Sequence, residues 1–222
     1  MKTGEKTLEI MSTADWYNNW LLSRIGKYLE GDILEVGAGM GNFTFGLSRY
    51  GKVTAIDYNP DYTLSTSRKN VNYGDIEKGK YFFGNKKFDS IVCMNVLEHI
   101  KDDKKALNNM FSLLKKNGKL ILLVPAHKWA YGRMDKELGH FRRYSKSEVE
   151  NKVLDSNFSI LDLYYLNWLG LVGWYINGKI LGRKIIPEKQ LGIFDYIARP
   201  FLLLEELVHL PFGISTLVIG EK

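Results

Sequence analysis

The chain contains almost no cysteine. Cys93 is the single one among 222 residues, which excludes an intramolecular disulfide and any cysteine-based zinc site. It lies in an apolar stretch, where we expect it to pack as an unreactive core residue. So little cysteine is typical of proteins from a reducing compartment, and we therefore expect a cytoplasmic protein, with the inner membrane surface as one place where it could act.

Long hydrophobic runs and long basic runs are also missing. Residues 1–8 are polar and charged, so we expect no signal peptide. The longest weakly polar stretch, 161–178, is interrupted by Asp162, Asn167 and Asn177 and is too short and broken to cross a bilayer. The net charge of +6 is scattered, without the basic stripe of a nucleic-acid-binding protein. We expect no nucleic-acid partner; an anionic substrate or membrane surface would explain the excess charge.

The chain does contain a glycine-rich turn directly after a buried strand. Residues 33–43 read Ile-Leu-Glu-Val-Gly-Ala-Gly-Met-Gly-Asn-Phe, and a second apolar run, 53–56, ends at Asp57. Two parallel strands with this turn after the first and a carboxylate after the second predict a nucleoside site, where the carboxylate accepts the ribose hydroxyls. A dinucleotide fingerprint would need glycine at position 42, where the chain has Asn42. The spacing therefore disfavours a nicotinamide cofactor.

Apolar runs alternate with helical patterns along most of the chain. We predict strands over 32–36, 52–56, 71–73, 88–94, 119–124, 159–165 and 214–219. Predicted helices cover 14–29, 43–50, 61–70, 102–114 and 145–155. This alternation predicts a single α/β domain, 1–222, built as a Rossmann-like, doubly wound, mostly parallel seven-stranded sheet with helices on both faces.

Segment 166–213 does not fit this alternation. It is rich in aromatic residues and carries scattered basic ones, and connections of this length are rarely structureless. Two interpretations stay open: a helical cap over the substrate site, or a surface that dips into a membrane interface to reach a lipid-linked substrate. The two are compatible, and we treat 166–213 as a substrate-cap insertion.

A second group of functional residue types follows the fifth predicted strand. His140, Arg142, Arg143 and Tyr144 fall within five positions, and His127 precedes them. Such residues are costly to bury and suit an anionic or hydroxylic substrate at the carboxyl edge of the sheet. The alternative is a solvated charged loop. The sequence shows no cluster of histidine and acidic residues with metal-ligand spacing, so we expect no metal.

With its Glu-x-Gly-x-Gly-x-Gly turn, the chain resembles the class I S-adenosylmethionine-dependent methyltransferases. The His-x-Arg-Arg-Tyr motif at 140–144 and the segments 173–178, 190–195 and 211–215 are similar to a bacterial and archaeal type 11/12-like subfamily. Its members often occur with glycosyltransferase and polysaccharide genes. The resemblance implies S-adenosylmethionine as cofactor, S-adenosylhomocysteine as product, and a small-molecule, glycan or lipid-precursor acceptor, with O-methylation favoured.

The resemblance also implies a set of cofactor-binding residues. Glu35 would hold the methionine ammonium, Asp57 the ribose, and Asp75 the adenine amino group. For Asp57 a helix-capping role is the alternative, and for Asp75 a turn. The full predicted set is Glu35, Gly37, Ala38, Gly39, Gly41, Asp57, Tyr58, Asp75, Ile76, Asn95 and Val96.

The predicted catalytic residues are His140, Arg143 and Tyr144, with His140 as the preferred general base and Arg142 and Arg143 as an anion-binding pair. His127, Arg142, Trp168 and Trp174 are predicted to contact substrate, whereas His99 is interpreted as structural. Two other functions remain open: a non-catalytic S-adenosylmethionine-binding protein and a nicotinamide-dependent oxidoreductase. The acceptor and the oligomeric state do not follow from the sequence.

Overall fold

The computed structural model describes residues 14–61, 71–79, 83–183, 188–205, 208 and 210–222. Its seven strands form one sheet in the order β3-β2-β1-β4-β5-β7-β6. The strands are β1 (Asp32–Val36), β2 (Lys52–Asp57), β3 (Val71–Tyr73), β4 (Phe88–Met94), β5 (Leu114–Pro125), β6 (Ser159–Leu166) and β7 (Ser215–Glu221). Strands β1 to β5 pair in parallel, and β7 runs antiparallel between β5 and β6. The predicted fold class is confirmed.

Helices cover both faces of the sheet. Among the described residues, the α-helices are α1 (Asp15–Ile25), α2 (Thr44–Leu47), α3 (Asp103–Leu113), α4 (Arg133–Leu138), α5 (Lys146–Leu154), α6 (Trp168–Tyr175) and α7 (Glu188–Glu205). Alternate strand residues point to opposite faces: Ile33 packs with Trp20 of α1, whereas Leu34 packs with Met110 of α3 and Val149 of α5. The sheet is therefore buried on both sides, which explains its nearly continuous apolar strands.

The predicted elements agree with the structure apart from their ends. The largest difference is β5, which begins at Leu114 instead of residue 119, because Leu114 pairs with Phe88 and the residues from there to the predicted start extend the strand. The predicted helix 14–29 ends earlier and continues as a 3₁₀ turn, Gly26–Tyr28. Ser145 caps α5 as expected, since its hydroxyl accepts a hydrogen bond from the Glu148 amide. The predicted helix 61–70 lies almost wholly outside the described residues.

The segment after β6 is helical where it is described. It contains α6, a π-helical turn (Ile176–Ile180) and α7. Ala198 and Leu202 of α7 are fully buried in the same apolar cluster as Trp20, so α7 is part of the core on that face. In the described part of the chain, no helix is both long and apolar enough to cross a membrane.

Candidate active site

The glycine turn after β1 has the conformation that its sequence predicts. Gly37, Gly39 and Gly41 have φ of 72°, 52° and 79°, in the left-handed region that glycine adopts without steric cost. The amides of Gly37 and Ala38 both donate to the Ile56 carbonyl at 2.9 Å, which ties the turn to the end of β2. The turn therefore lies at the carboxyl edge of the sheet, between the ends of neighbouring parallel strands, where open α/β sheets bind ligands.

Asp57 ends β2 and holds the turn from the other side. One carboxylate oxygen accepts from the Gly39 amide and the other from the Asn59 amide, both at 2.8 Å. The side chain is buried, and burial raises its pKa while the backbone donors Asn59, Gly39 and Tyr58 oppose that shift. Asp57 thus caps the backbone that follows it, the alternative weighed from the sequence, and also lies against the glycine turn. Its ribose-binding role stays a prediction.

Glu35 lies beneath the turn in β1. Its Oε2 accepts a hydrogen bond of 2.5 Å from the Thr44 hydroxyl at the start of α2. Burial raises the pKa of Glu35 to about 7, the Thr44 hydrogen bond opposes this, and the nearby Asp57 charge adds to it. A buried carboxylate with a raised pKa favours a cationic ligand group, because the positive charge stabilises the ionised carboxylate.

Asp75 and Ile76 follow β3 on the same edge. The Gly74 amide donates to the Asp57 carbonyl at 2.9 Å, so this turn lies directly beside Asp57. One Asp75 oxygen accepts from the Glu77 amide at 2.9 Å, forming the turn that was the alternative interpretation, while Ile76 is buried. Tyr58 is 69% exposed next to Asp57.

Asn95 and Val96 follow β4 and lie next along the carboxyl edge of the sheet, which we call the rim. Asn95 has φ of 54°, an uncommon conformation for a residue with a side chain, and its amide donates to the Leu123 carbonyl at 2.8 Å. A Cβ on Gly37 would lie only 2.3 Å from a methyl group of Val96. Val96 therefore contacts the glycine turn directly, as predicted for a residue that lines the same site.

His140 lies after α4 with one ring nitrogen already bound. Its Nδ1 is 2.9 Å from Asp135 Oδ1, and its Nε2 is 3.9 Å from Glu98 Oε1. The Phe141 amide donates to the Glu98 carbonyl at 2.9 Å, which joins this segment to the residues after β4. The Asp135 contact orients the imidazole and leaves Nε2 facing Glu98.

Glu98 and His99 complete this part of the rim. Burial raises the pKa of Glu98 to about 7, against the opposing charges of His140 and Arg143. Burial and the neighbouring His140 lower the pKa of His99 to about 4, and its ring packs edge-on against His140 with centroids 4.7 Å apart. The fold brings Glu98, His99 and His140 together, a grouping of possible metal ligands that their spacing along the sequence does not show.

Arg142, Arg143 and Tyr144 are each paired with an acidic side chain. Arg142 pairs with Asp103 at 2.9 Å, and Arg143 with Asp135 at 2.7 Å. Tyr144 is fully buried, and its hydroxyl is 3.0 Å from Asp103. The two guanidinium groups are thus paired with carboxylates, and the Tyr144 hydroxyl bonds to Asp103 in the interior. The catalytic role of Arg143 and Tyr144 and the substrate contact of Arg142 stay predictions.

The remaining predicted substrate residues fall into two places. His127, with φ of 63° at the end of β5, stacks on Tyr165 with centroids 4.9 Å apart. Trp174 of α6 packs over Arg143 at 4.4 Å, so it lies near the rim. Trp168 instead lines an apolar cavity of about 290 Å³ with Phe201 and Glu205.

Sequence reasoning missed four side chains that shape the site. Thr44, Glu98, Asp103 and Asp135 were not selected, although each is a polar partner of a predicted residue. Only Glu98 carries a signal in the sequence, as an acidic residue beside a histidine just after a buried strand. Thr44 and Asp135 lie within nine residues of their partners, but no periodic pattern marks those contacts. Asp103 becomes visible only through a contact with Tyr144, which is distant along the chain.

Comparison with known proteins places this arrangement in a family. The family described as a methyltransferase domain matches residues 19–163, more than half of the chain. An uncharacterized methyltransferase of Staphylococcus carnosus is 34% identical over 109 residues, which cover 46% of this chain and 51% of that protein. A mitochondrial ubiquinone biosynthesis O-methyltransferase of Schizosaccharomyces pombe is 30% identical over 100 residues, 40% of this chain and 36% of that protein. The chain thus spans about half the length or less of these curated relatives.

The fold extends this similarity over nearly the whole chain. A S-adenosylmethionine-dependent methyltransferase from Archaeoglobus fulgidus superimposes with a TM-score of 0.64 over 92% of each chain, at 13% sequence identity. At this sequence identity, the structural similarity concerns the fold alone. The family model, by contrast, matches the segments that contain the glycine turn, Asp57 and the rim residues through His140. The chain belongs to the methyltransferase domain family.

Proposed function

We propose that the protein transfers a methyl group from S-adenosylmethionine to an oxygen of a small-molecule, glycan or lipid-precursor acceptor. The observation that carries the proposal is the junction of the glycine turn with Asp57 at the carboxyl edge of β1 and β2. The strand order reverses at β1, since β2 and β3 follow on one side of it and β4 and β5 on the other. Open α/β sheets usually bind ligands at such a reversal.

The buried carboxylates match the charges and hydroxyls of the cofactor. Glu35 would pair with the methionine ammonium, and Asp57 would accept hydrogen bonds from the ribose hydroxyls. Asp75 and Ile76, which adjoin Asp57 through the Gly74 amide, would receive the adenine ring. Asn95 and Val96 would border the methionine side. These acidic side chains favour a cationic cofactor and disfavour a dinucleotide, because the pyrophosphate of a dinucleotide is negatively charged.

The reaction is an in-line displacement in which the acceptor oxygen bonds to the methyl carbon and the carbon–sulfur bond breaks. The sulfonium is a good leaving group, so the protein contributes chiefly orientation and exclusion of water. A hydroxyl acceptor must also lose its proton. His140 is positioned for this step, because Asp135 holds its Nδ1 and its Nε2 faces the rim. The O-methyltransferase among the relatives supports an oxygen acceptor.

The helical segment after β6 is proposed as a cap beside the acceptor site. Trp174 packs over Arg143, the Lys179 ammonium donates to the Tyr131 carbonyl at 3.1 Å, and a Cβ on Gly178 would lie 2.9 Å from Met134. These contacts attach the segment to the loop and helix that carry His140. A cap attached there can exclude water from the reacting atoms.

Calorimetric titration with S-adenosylmethionine and S-adenosylhomocysteine tests the cofactor, with NAD as control ligand. Asp57→Ala should weaken binding by about a hundredfold, since two charge-assisted hydrogen bonds contribute roughly 3 kcal/mol. Asp57→Asn tests the same point with less disturbance of the Gly39 and Asn59 amides. Asp61→Asn, which alters an exposed carboxylate four positions further on, is the matched control and should bind normally.

His140→Ala separates binding from catalysis. We expect it to retain cofactor affinity and lose turnover with any acceptor that the wild-type protein methylates. Binding of NAD in place of the adenosyl ligands would overturn the proposal in favour of an oxidoreductase. Tight binding of S-adenosylmethionine without turnover of any hydroxylic acceptor would favour a non-catalytic binding protein.

A further inference from the structure

A compact group of three metal-ligating side chains lies on the rim beside the methyl-transfer site. Glu98, His99 and His140 each offer one ligand atom, and these atoms all lie within 4.8 Å of one another. Two ligand atoms that each lie about 2.0–2.2 Å from one ion are at most about 4.4 Å apart, so a small movement of these side chains is enough to close them on an ion. Two imidazoles and one carboxylate are a donor set found in catalytic zinc sites and in non-haem iron sites.

The carboxylate of Glu98 is the strongest sign that something binds there. Glu98 is fully buried, yet neither of its oxygens has a hydrogen-bond partner within the described chain. Leaving such a group unsatisfied is costly, and native proteins seldom do so without a functional reason. Its Oε1 faces His140 Nε2 at 3.9 Å, a separation too long for a hydrogen bond and suited to two ligands of one ion.

One of the two imidazoles is already oriented by an acceptor on its other side, because His140 Nδ1 is 2.9 Å from Asp135 Oδ1. His99 Nδ1 lies beside Gly139, 3.9 Å from where a Cβ on that residue would stand. Metal-binding histidines almost always have this second partner, which fixes the tautomer and leaves the other nitrogen free for the ion. The nearby cation Arg143 does not oppose a metal strongly, because it pairs with Asp135 at 2.7 Å.

From this geometry we infer that Glu98, His99 and His140 form a binding site for one divalent transition-metal ion, with Zn²⁺ the best match to the donor set. Three protein ligands leave coordination positions open for water or for a substrate oxygen. Asp135 is the positioning residue of the site, because it acts on the metal through His140.

The metal would change how the acceptor is activated, and this part rests on the proposed methyl transfer. A hydroxyl oxygen bound to the ion is acidified and releases its proton to solvent water. The oxygen then bonds to the methyl carbon, and the carbon–sulfur bond breaks to leave S-adenosylhomocysteine. His140 Nε2 cannot bind the metal and accept that proton at once, so the two uses are exclusive.

Metal titration of the tag-free protein tests the site. The protein is stripped with a chelator and titrated with Zn²⁺, and with Co²⁺ because its visible absorption reports coordination directly. We expect one equivalent to bind. Glu98→Gln and His99→Gln should abolish stoichiometric binding, whereas Asp135→Asn should weaken it by about 10–100-fold. His127→Ala is the matched control, since His127 lies outside the cluster and stacks on Tyr165, and it should bind like the wild-type protein.

Affinity for S-adenosylhomocysteine, measured on each stripped variant, shows that the variant is folded and tests the cofactor site separately. A wild-type protein that takes up no equivalent of Zn²⁺ or Co²⁺ would overturn the inference and leave His140 as a general base. Glu98→Gln binding as tightly as the wild-type protein would overturn it as well. Stoichiometric metal binding without any adenosyl-ligand binding would support the metal site and refute the proposed cofactor.

Discussion

Replacing Gly37 by alanine should destabilise the protein more than the same change at Gly41. Both glycines have φ in the left-handed region, 72° and 79°, where an L-residue costs about 1–2 kcal/mol. At Gly41 a new Cβ would meet nothing closer than Thr44 Oγ1 at 3.5 Å, an ordinary contact. At Gly37 it would lie 2.3 Å from a methyl group of Val96, so the side chain or the backbone must move.

The expected losses follow from these two contributions. Gly41→Ala should lower the free energy of unfolding by about 1–2 kcal/mol, the conformational cost alone. Gly37→Ala should lower it by about 2–5 kcal/mol, because overpacking adds about 1–3 kcal/mol. The double variant Gly37→Ala/Val96→Ala removes the methyl groups that clash. It should therefore recover part of the loss that the Gly37 substitution causes.

Urea denaturation monitored by circular dichroism measures these differences, provided that the dependence on denaturant is the same for all four proteins. Equal stability of Gly37→Ala and Gly41→Ala would refute the reasoning, since it would mean that Val96 does not limit the space at the turn. A double variant no more stable than Gly37→Ala alone would refute it too, because the clash would then involve another group.

Two further predictions concern Glu35 and Tyr144. Because the pKa of Glu35 is raised to about 7 by burial, and its ionised form binds the cofactor ammonium, S-adenosylmethionine affinity should increase as the pH rises through about 7. Calorimetry across this range should show a flatter profile for Glu35→Gln, and an unchanged profile would contradict the assigned role. Tyr144→Phe removes a buried hydroxyl bonded to Asp103 and Leu97 and should cost about 1–3 kcal/mol of stability with cofactor affinity preserved. Unchanged stability with lost turnover would instead support the catalytic role predicted from the sequence.

The elements that the sequence predicts well are those with a local pattern. Strands β1, β3 and β4 begin and end at the residues that the sequence predicts. The glycine turn adopts its positive φ values because alternate glycines permit them. By contrast, the start of β5 at Leu114 depends on pairing with Phe88 in β4. Such pairing between separate segments leaves no periodicity in the sequence of residues 114–118.

The candidate site likewise contains residues that the local sequence predicts and residues that only the fold reveals. Asp57 can be predicted from its position directly after an apolar run, and the fold adds only which backbone amides its carboxylate binds. For the residues around His140, the sequence shows side chains that can bind anions or move protons, but not which of them are already paired. In the structure, Asp135 pairs with Arg143 from eight residues away, and Asp103, from a distant segment, bonds to the Tyr144 hydroxyl.

The sequence by itself determined the sheet, the glycine turn and the carboxylates at the cofactor edge, because these depend on periodicity and spacing over a few residues. Only the tertiary structure decided which polar groups of the rim are paired and which are left open. Glu98 meets His140 because the Phe141 amide bonds to the Glu98 carbonyl across the rim. Burial then leaves its carboxylate without a partner there, and neither burial nor pairing between distant segments can be derived from local sequence.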